Sequence, residues 1–327
     1  MITYALRRLL LLGPVLLVVA TVAWLAVFVL PGDPARLLAG QTADPEVMAR
    51  VRADWGLDAP PWVQYGQYLS RLAHLDLGRS YVDRRPVTTI LLEHLPASLV
   101  LAISAVTLAL LMGLVCGTLA ALHRGTWIDA TVLGGSLLGL STPVFWLGLM
   151  LVLALASSRG LGWFPVSGYG PVGAPSFHLA GLPIRLPSPA NLFLPALTLA
   201  LVSAGSLARM TRSAILDVLR QDYIRAARGR GLSAWRVLGR HALRNALIPV
   251  VTFAGLDLAA LAGGAIATES VFAWPGLGKI VVRAIHARDL PLVEGSILAM
   301  TTGFVLVTLL VDLSYGWIDP RTRTHTR

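Results

Sequence analysis

The sequence predicts an all-α membrane protein with six transmembrane helices and both termini cytoplasmic. Three observations carry that expectation. Only 13% of the 327 residues are charged and 55% are hydrophobic, whereas an ordinary soluble domain has about 25% charged residues; the mean hydropathy of +0.70 implies more apolar surface than one aqueous core can hide. Six stretches reach the roughly 20 apolar residues that a spanning helix needs. The arginines are divided unevenly between the loops of the two sides. Cys116 is the sole cysteine, which excludes an internal disulfide and a multi-cysteine metal cluster.

The stretches are residues 9–30, 97–122, 132–157, 192–208, 247–272 and 295–317, the fourth being the shortest. The first is longer than the apolar core of a cleaved signal peptide and reads as a retained helix. Pro143, Pro195 and Pro249 fall within or at the ends of spans, where neighbouring helices can satisfy the freed carbonyls. This divides the chain into a first helix with a cytoplasmic N-terminus (1–30), an extracytoplasmic helical segment (31–96), a five-helix core (97–317) and a cytoplasmic tail (318–327). Arg7, Arg8, Arg124, the nine arginines from Arg209 to Arg244, and Arg321, Arg323 and Arg327 share one side. The opposite side has seven arginines in the segment 31–95, offset by eight acids, and a loop that long counts little toward orientation. Both termini therefore belong in the cytoplasm. The net charge of +10 is thus a topology signal and does not argue for nucleic acid. Lys279 is the only lysine, and Gly276-Leu277-Gly278-Lys279-Ile280 lacks the upstream glycine and the Ser/Thr of a Walker A loop.

In the outer segment, Asp44 and Pro45 form an N-cap and first-turn pair, Val47, Val51 and Trp55 follow at helical spacing, and Gly56 closes the helix. Trp62, Tyr65, Leu69 and Leu72 make a second stripe, expected to pack on the membrane domain. Val87, Ile90, Leu91 and His94 read as an interfacial helix before the second span. The loop 159–190 is rich in Pro and Gly and gives no further signal. In the last outer loop, Trp274-Pro275-Gly276 makes a turn, and the next helix carries Lys279, Arg283 and Arg288, a basic face able to meet acidic groups on a partner or lipid headgroups.

The inner segment of about 211–246 is the most informative. Leu216, Leu219 and Tyr223 form one apolar stripe, Gly229 and Gly231 break it, and Ala234, Leu238, His241 or Ala242, and Asn245 begin another. Two short helices meeting at a glycine turn suit a docking surface for a cytoplasmic partner, beyond what a lipid-binding arginine patch requires. Gly231 is expected at a positive φ.

The run Asp222-Tyr223-Ile224-Arg225-Ala226-Ala227-Arg228-Gly229-Arg230-Gly231-Leu232, with His241-Ala242-Leu243-Arg244-Asn245 and Ile248-Pro249, closely resembles the EAA loop of bacterial ABC importer permeases in the form of the dipeptide, oligopeptide and nickel group. Ala226, Ala227 and Gly231 match the general pattern; Arg225 replaces its first-position Glu. Pro31-Gly32-Asp33-Pro34, Leu75-Asp76-Leu77-Gly78, Phe272-Ala273-Trp274-Pro275-Gly276-Leu277-Gly278 and Asp319-Pro320-Arg321 extend the resemblance along the whole chain. It implies a permease of the bacterial cytoplasmic (inner) membrane that forms half of a peptide pathway. The implied partners are a second related permease, two ATPase subunits carrying ATP and Mg, and an extracytoplasmic solute-binding protein, with no cofactor on this chain. Asp222, Tyr223, Arg225, Ala226, Ala227, Gly231 and Leu232 would then couple to the ATPases. Trp274, Pro275, Gly276, Lys279, Arg283 and Arg288 would face the binding protein.

Charged groups within spans mark polar cavities or paired sites. Glu269 and Asp312 lie near span ends and suit a structural hydrogen bond. Asp257 lies midway along the fifth span beside Gly255, Gly263 and Gly264, which allow close helix approach or open space for a pathway. The seven histidines are scattered without metal-ligand spacing, and catalytic motifs are absent, so the chain is not expected to be an enzyme. The rival reading is a self-sufficient secondary transporter or intramembrane enzyme, for which one deep carboxylate is few.

Overall fold

The computed structural model describes residues 2–29, 44–54, 58–170, 176–179, 182–262 and 265–318. Helices dominate because a chain in lipid has no water to satisfy its amides, and the helix bonds them internally. In order, they are α1 (Ile2–Val29), α2 (Pro45–Asp54), α3 (Pro61–Ala73), α4 (Val87–Leu122), α5 (Trp127–Ser141), α6 (Val144–Ala156), α7 (Pro189–Leu219), α8 (Asp222–Gly229), α9 (Ala234–Ala262), α10 (Ile266–Val271), α11 (Leu277–Ala287) and α12 (Leu290–Ile318). A hairpin of β1 (Ser176–Leu179) and β2 (Leu182–Arg185) joins α6 to α7.

Among the described residues, α4, α7, α9 and α12 are each long and apolar enough to cross a membrane, and α5 with α6 forms a pair, bent by 106° at the break, that passes the same test only when the two are taken together. The single span expected over 132–157 is therefore broken. Thr142-Pro143 interrupts it, since proline disfavours helical backbone in the residue before it and supplies no amide. The segment before the second span is no separate interfacial helix: Val87 begins a continuous helix of 36 residues that passes through Pro96. The fourth span, shortest by hydropathy, is a 31-residue helix. It outlasts its apolar run because arginine is a good helix former outside the bilayer. The second inner helix likewise runs on through a π-helical stretch, Val237–Leu243, into the fifth span, and the loop expected to be featureless carries the hairpin.

Small residues set the helix spacing, as expected where lipid offers no hydrophobic drive for association. A Cβ on Gly113 would overlap Leu207, and one on Gly117 would fall 2.6 Å from Thr211, so α4 and α7 pack backbone to backbone. Gly255 lies against Val311 of α12; its missing side chain serves helix contact. Where α3 lies on the bundle, Tyr65, Tyr68, Leu69 and Leu72 pack on Leu16, Val19 and Ala20 of α1 and Leu298 of α12. Tyr65 and Thr21 share a hydroxyl hydrogen bond of 2.6 Å. The second outer stripe thus covers the membrane domain, apart from Trp62, which is exposed. Pro31-Gly32-Asp33-Pro34, Trp55, Gly56, Gly263, Gly264 and Asp319-Pro320-Arg321 lie outside the described residues.

Candidate functional site

At one end of the bundle, α8 is an amphipathic helix of 8 residues. Ile224 and Ala227 are buried against a core formed by Ala121 of α4, Ile215 of α7, and Val237, Leu238 and Ala242 of α9. Tyr223, Arg225, Ala226, Arg228 and Arg230 lie on the exposed side. The Tyr223 hydroxyl accepts a 2.7 Å hydrogen bond from Asn245 Nδ2, tying the start of α8 to α9. Gly231 has φ +80° and open space where a Cβ would sit, so its requirement is conformational. The bonds Gly231 N–H to Arg228 O and Leu232 N–H to Ala227 O close the turn. Arg225 pairs with Asp222 at 3.7 Å within the segment, and exposed pairs of this kind contribute little.

Two features here escaped the sequence reading. Trp235 is a 79% exposed aromatic in the first turn of α9; its signal was a large apolar residue out of phase with the stripe of Ala234 and Leu238. Arg212, counted as a topology charge, makes a bidentate ion pair with Asp129 in the first turn of α5 (2.6 and 2.7 Å).

The opposite end is closed by α11, held at both ends by buried carboxylates. Glu269 is fully buried and accepts hydrogen bonds from Ser98 Oγ (2.7 Å) and Lys279 N–H (3.1 Å), while Ser98 Oγ accepts one from Leu277 N–H. The orphan amides of the α11 N-terminus are thereby satisfied by the Glu269 carboxyl oxygen and its hydroxyl neighbour. This explains Gly276-Leu277-Gly278: a Cβ on Gly276 would overlap the Glu269 carboxylate, and one on Gly278 would come 2.7 Å from Ile266 Cα. Beyond the other end of α11, the buried Asp289 accepts from Ser80 Oγ, from Tyr81 N–H (2.9 Å) and from Val82 N–H (3.3 Å). Burial pushes the Tyr81 hydroxyl up to about 12, so it stays neutral at physiological pH.

Of the residues expected to face a partner outside, Trp274 is fully buried, with its indole N–H on Ala97 O at 2.9 Å and its ring edge-on to Tyr169. Gly276 is buried and Pro275 half-buried. The exposed candidates are Lys279, whose ammonium returns to Ala273 O, Arg283, paired with Asp83, and Arg288. Within the bundle, Asp257 is half-buried, and its Oδ2 is enclosed without a hydrogen-bond partner. The described residues hold no cluster of three metal-ligating side chains.

Comparison with known proteins connects these features. Residues 113–324 match the family described as binding-protein-dependent transport system inner membrane component, and residues 1–102 match its N-terminal companion. The chain is 45% identical over 311 residues, 95% of each chain, to a Brucella abortus protein that carries the name of a peptide transport system permease. It is 40% identical to the dipeptide transport system permease protein of Alkalihalophilus pseudofirmus (98% of this chain, 99% of the relative). With the glutathione transport system permease protein of Salmonella choleraesuis it shares 41% identity over 99% of each chain. A solved amino acid ABC transporter chain overlaps 72% of this chain and 94% of its own length at 18% identity and TM-score 0.49, a likeness too distant to add to the sequence relatives. A multi-pass helical bundle with a glycine-closed amphipathic helix at one end, and family matches over residues 1–102 and 113–324, make one conclusion: the chain belongs to the family of binding-protein-dependent transport system inner membrane components, as an ABC importer permease of the dipeptide, oligopeptide and nickel group.

Proposed function

We propose that this permease forms half of a peptide translocation pathway driven by ATP hydrolysis in partner subunits. Six spans place both termini and α8 in the cytoplasm, with α1 and the bent α5–α6 pair as the two crossings that length alone leaves open. A second related permease completes the pathway, two ATPase subunits carrying ATP and Mg dock on the inner faces, and a solute-binding protein delivers cargo to the outer end. Peptide cargo is supported by the names of the relatives. Lys279, Arg283 and Arg288 offer the outer contact, and Asp257 faces the pathway when the bundle opens.

The observation that carries the proposal is α8. Its exposed face presents Tyr223, Arg225 and Arg228 with Trp235 nearby, while Ile224 and Ala227 root it among α4, α7 and α9. A pull on α8 by closing ATPases is thereby delivered to three long helices at once, which rock so that the pathway opens to alternate sides. The chain itself performs no bond chemistry.

The test is reconstitution of the four-subunit complex in liposomes with its binding protein. Gly231→Val meets a left-handed backbone that a Cβ disfavours by about 1–2 kcal/mol. The expected outcome is normal insertion with ATP-driven peptide uptake lost. Full uptake by this variant would remove α8 as the coupling element, and uptake by this chain alone, without ATPases, would favour a secondary transporter.

A further inference from the structure

We infer that the Asp129–Arg212 ion pair is the positioning joint by which the coupling helix α8 carries the broken pair α5–α6 along with α7. This rests on the proposed coupling role of α8. Arg212 lies near the end of α7, shortly before the Arg220-Gln221 corner that leads into α8. Its Nε and Nη2 donate in parallel to the two carboxylate oxygens of Asp129, the planar fork that fixes orientation as well as distance. Asp129 Oδ2 also accepts the Gly125 N–H at 3.0 Å, and Thr126 Oγ1 donates to His123 O. One carboxylate therefore gathers the turn after α4, the start of α5 and the C-terminal part of α7. The Asp129 side chain is 7% exposed and that of Arg212 21%, so water competes weakly for either.

Beyond the ion pair, α5 lies directly on α7. A Cβ on Gly205 would come 2.8 Å from Ser136 O, and one on Gly139 would come 3.1 Å from Leu201 O. Three contacts at successive levels leave no room for α5 to slide past α7 without breaking all of them. At its far end α5 turns through 106° into α6, where Gly148 lies against Phe272, at the root of the outer loop. A displacement of α8 thus has an unbroken packed route through α7 and α5 to α6 and the base of the outer cap.

The experiment uses the reconstituted complex and reads peptide uptake per ATP hydrolysed, which a purely structural pair would not change. In Asp129→Asn the ATPase subunits should remain bound and stimulated hydrolysis should persist, while uptake per ATP falls about tenfold, within the range of substitutions along coupling networks. The exchanged pair Asp129→Arg with Arg212→Asp should recover at least part of that ratio. A second measurement does not depend on losing a buried charge. In a Cys116→Ser background, Asp129→Cys and Arg212→Cys bridged by a short bifunctional thiol reagent should keep uptake, because the two positions move together. An unchanged ratio in Asp129→Asn, or uptake abolished by bridging, would overturn the joint and leave the importer reading intact. Peptide uptake by the unsubstituted complex without ATP would instead overturn the importer reading itself.

Discussion

The helices α8 and α11 look alike as sequence: each is short and amphipathic, bears basic residues and adjoins a glycine turn. Their settings differ. α11 is fixed at both ends, by Glu269 with Ser98 at its start and by Asp289 with Ser80 and Tyr81 just beyond its finish. α8 is held by Ile224 and Ala227 and by one tyrosine contact to Asn245, with its charged side open. An arginine-bearing amphipathic helix therefore becomes part of the fold or a surface for another subunit according to whether distant segments of the same chain bring acceptors and hydroxyls to it.

Substitutions can break that contrast, and the largest effect is expected at Glu269. Glu269→Ala leaves the Ser98 hydroxyl and the Lys279 amide of α11 without their acceptor, at about 1–3 kcal/mol for each orphaned group. The thermal midpoint of the detergent-solubilised complex should fall by several degrees; an unchanged midpoint would mean α11 is held by apolar packing alone. Ile224→Ala should cost about 2–3 kcal/mol at the apolar root of α8, toward the low end for a buried large-to-small change. Because α8 is peripheral, the loss should appear as faster hydrogen exchange over 222–231 and weaker stimulated ATP turnover, with the global midpoint preserved. If the midpoint falls as far as for Glu269→Ala, the two helices are equally integral. The smallest effect is expected at Arg225→Ala: its exposed pair with Asp222 contributes roughly 0–1 kcal/mol. Stability should be unchanged, and any defect should be confined to ATPase retention. Intact retention and turnover would limit Arg225 to a surface charge.

The helical architecture was legible because hydropathy and periodicity are local properties. So was the Gly231 turn, since the φ that glycine permits is written in a single residue. The features that escaped were decided by remote partners. Trp274 reads as an exposed turn residue until Ala97 and Tyr169 arrive to enclose it. Arg212 reads as one topology charge among many until Asp129, 83 residues earlier, meets it. The break in the third crossing was signalled by Pro143, but its 106° angle depends on how α5 and α6 pack against α7 and Phe272. Helix ends outside the bilayer were misjudged for a simpler reason: hydropathy records where the lipid stops, and the backbone continues helical past that point.

The Ser98–Glu269 hydrogen bond also sets an order of biogenesis. The two residues are 171 positions apart, and a ribosome adding about 5–20 residues per second delivers Glu269 some ten to thirty seconds after Ser98. Throughout that interval the α4 serine is unclaimed by its eventual acceptor. The closure of that end of the bundle by α11 is therefore among the last parts of the nascent chain to set, and a chain cut short before α10 leaves α4 without the carboxyl that ties it to α11.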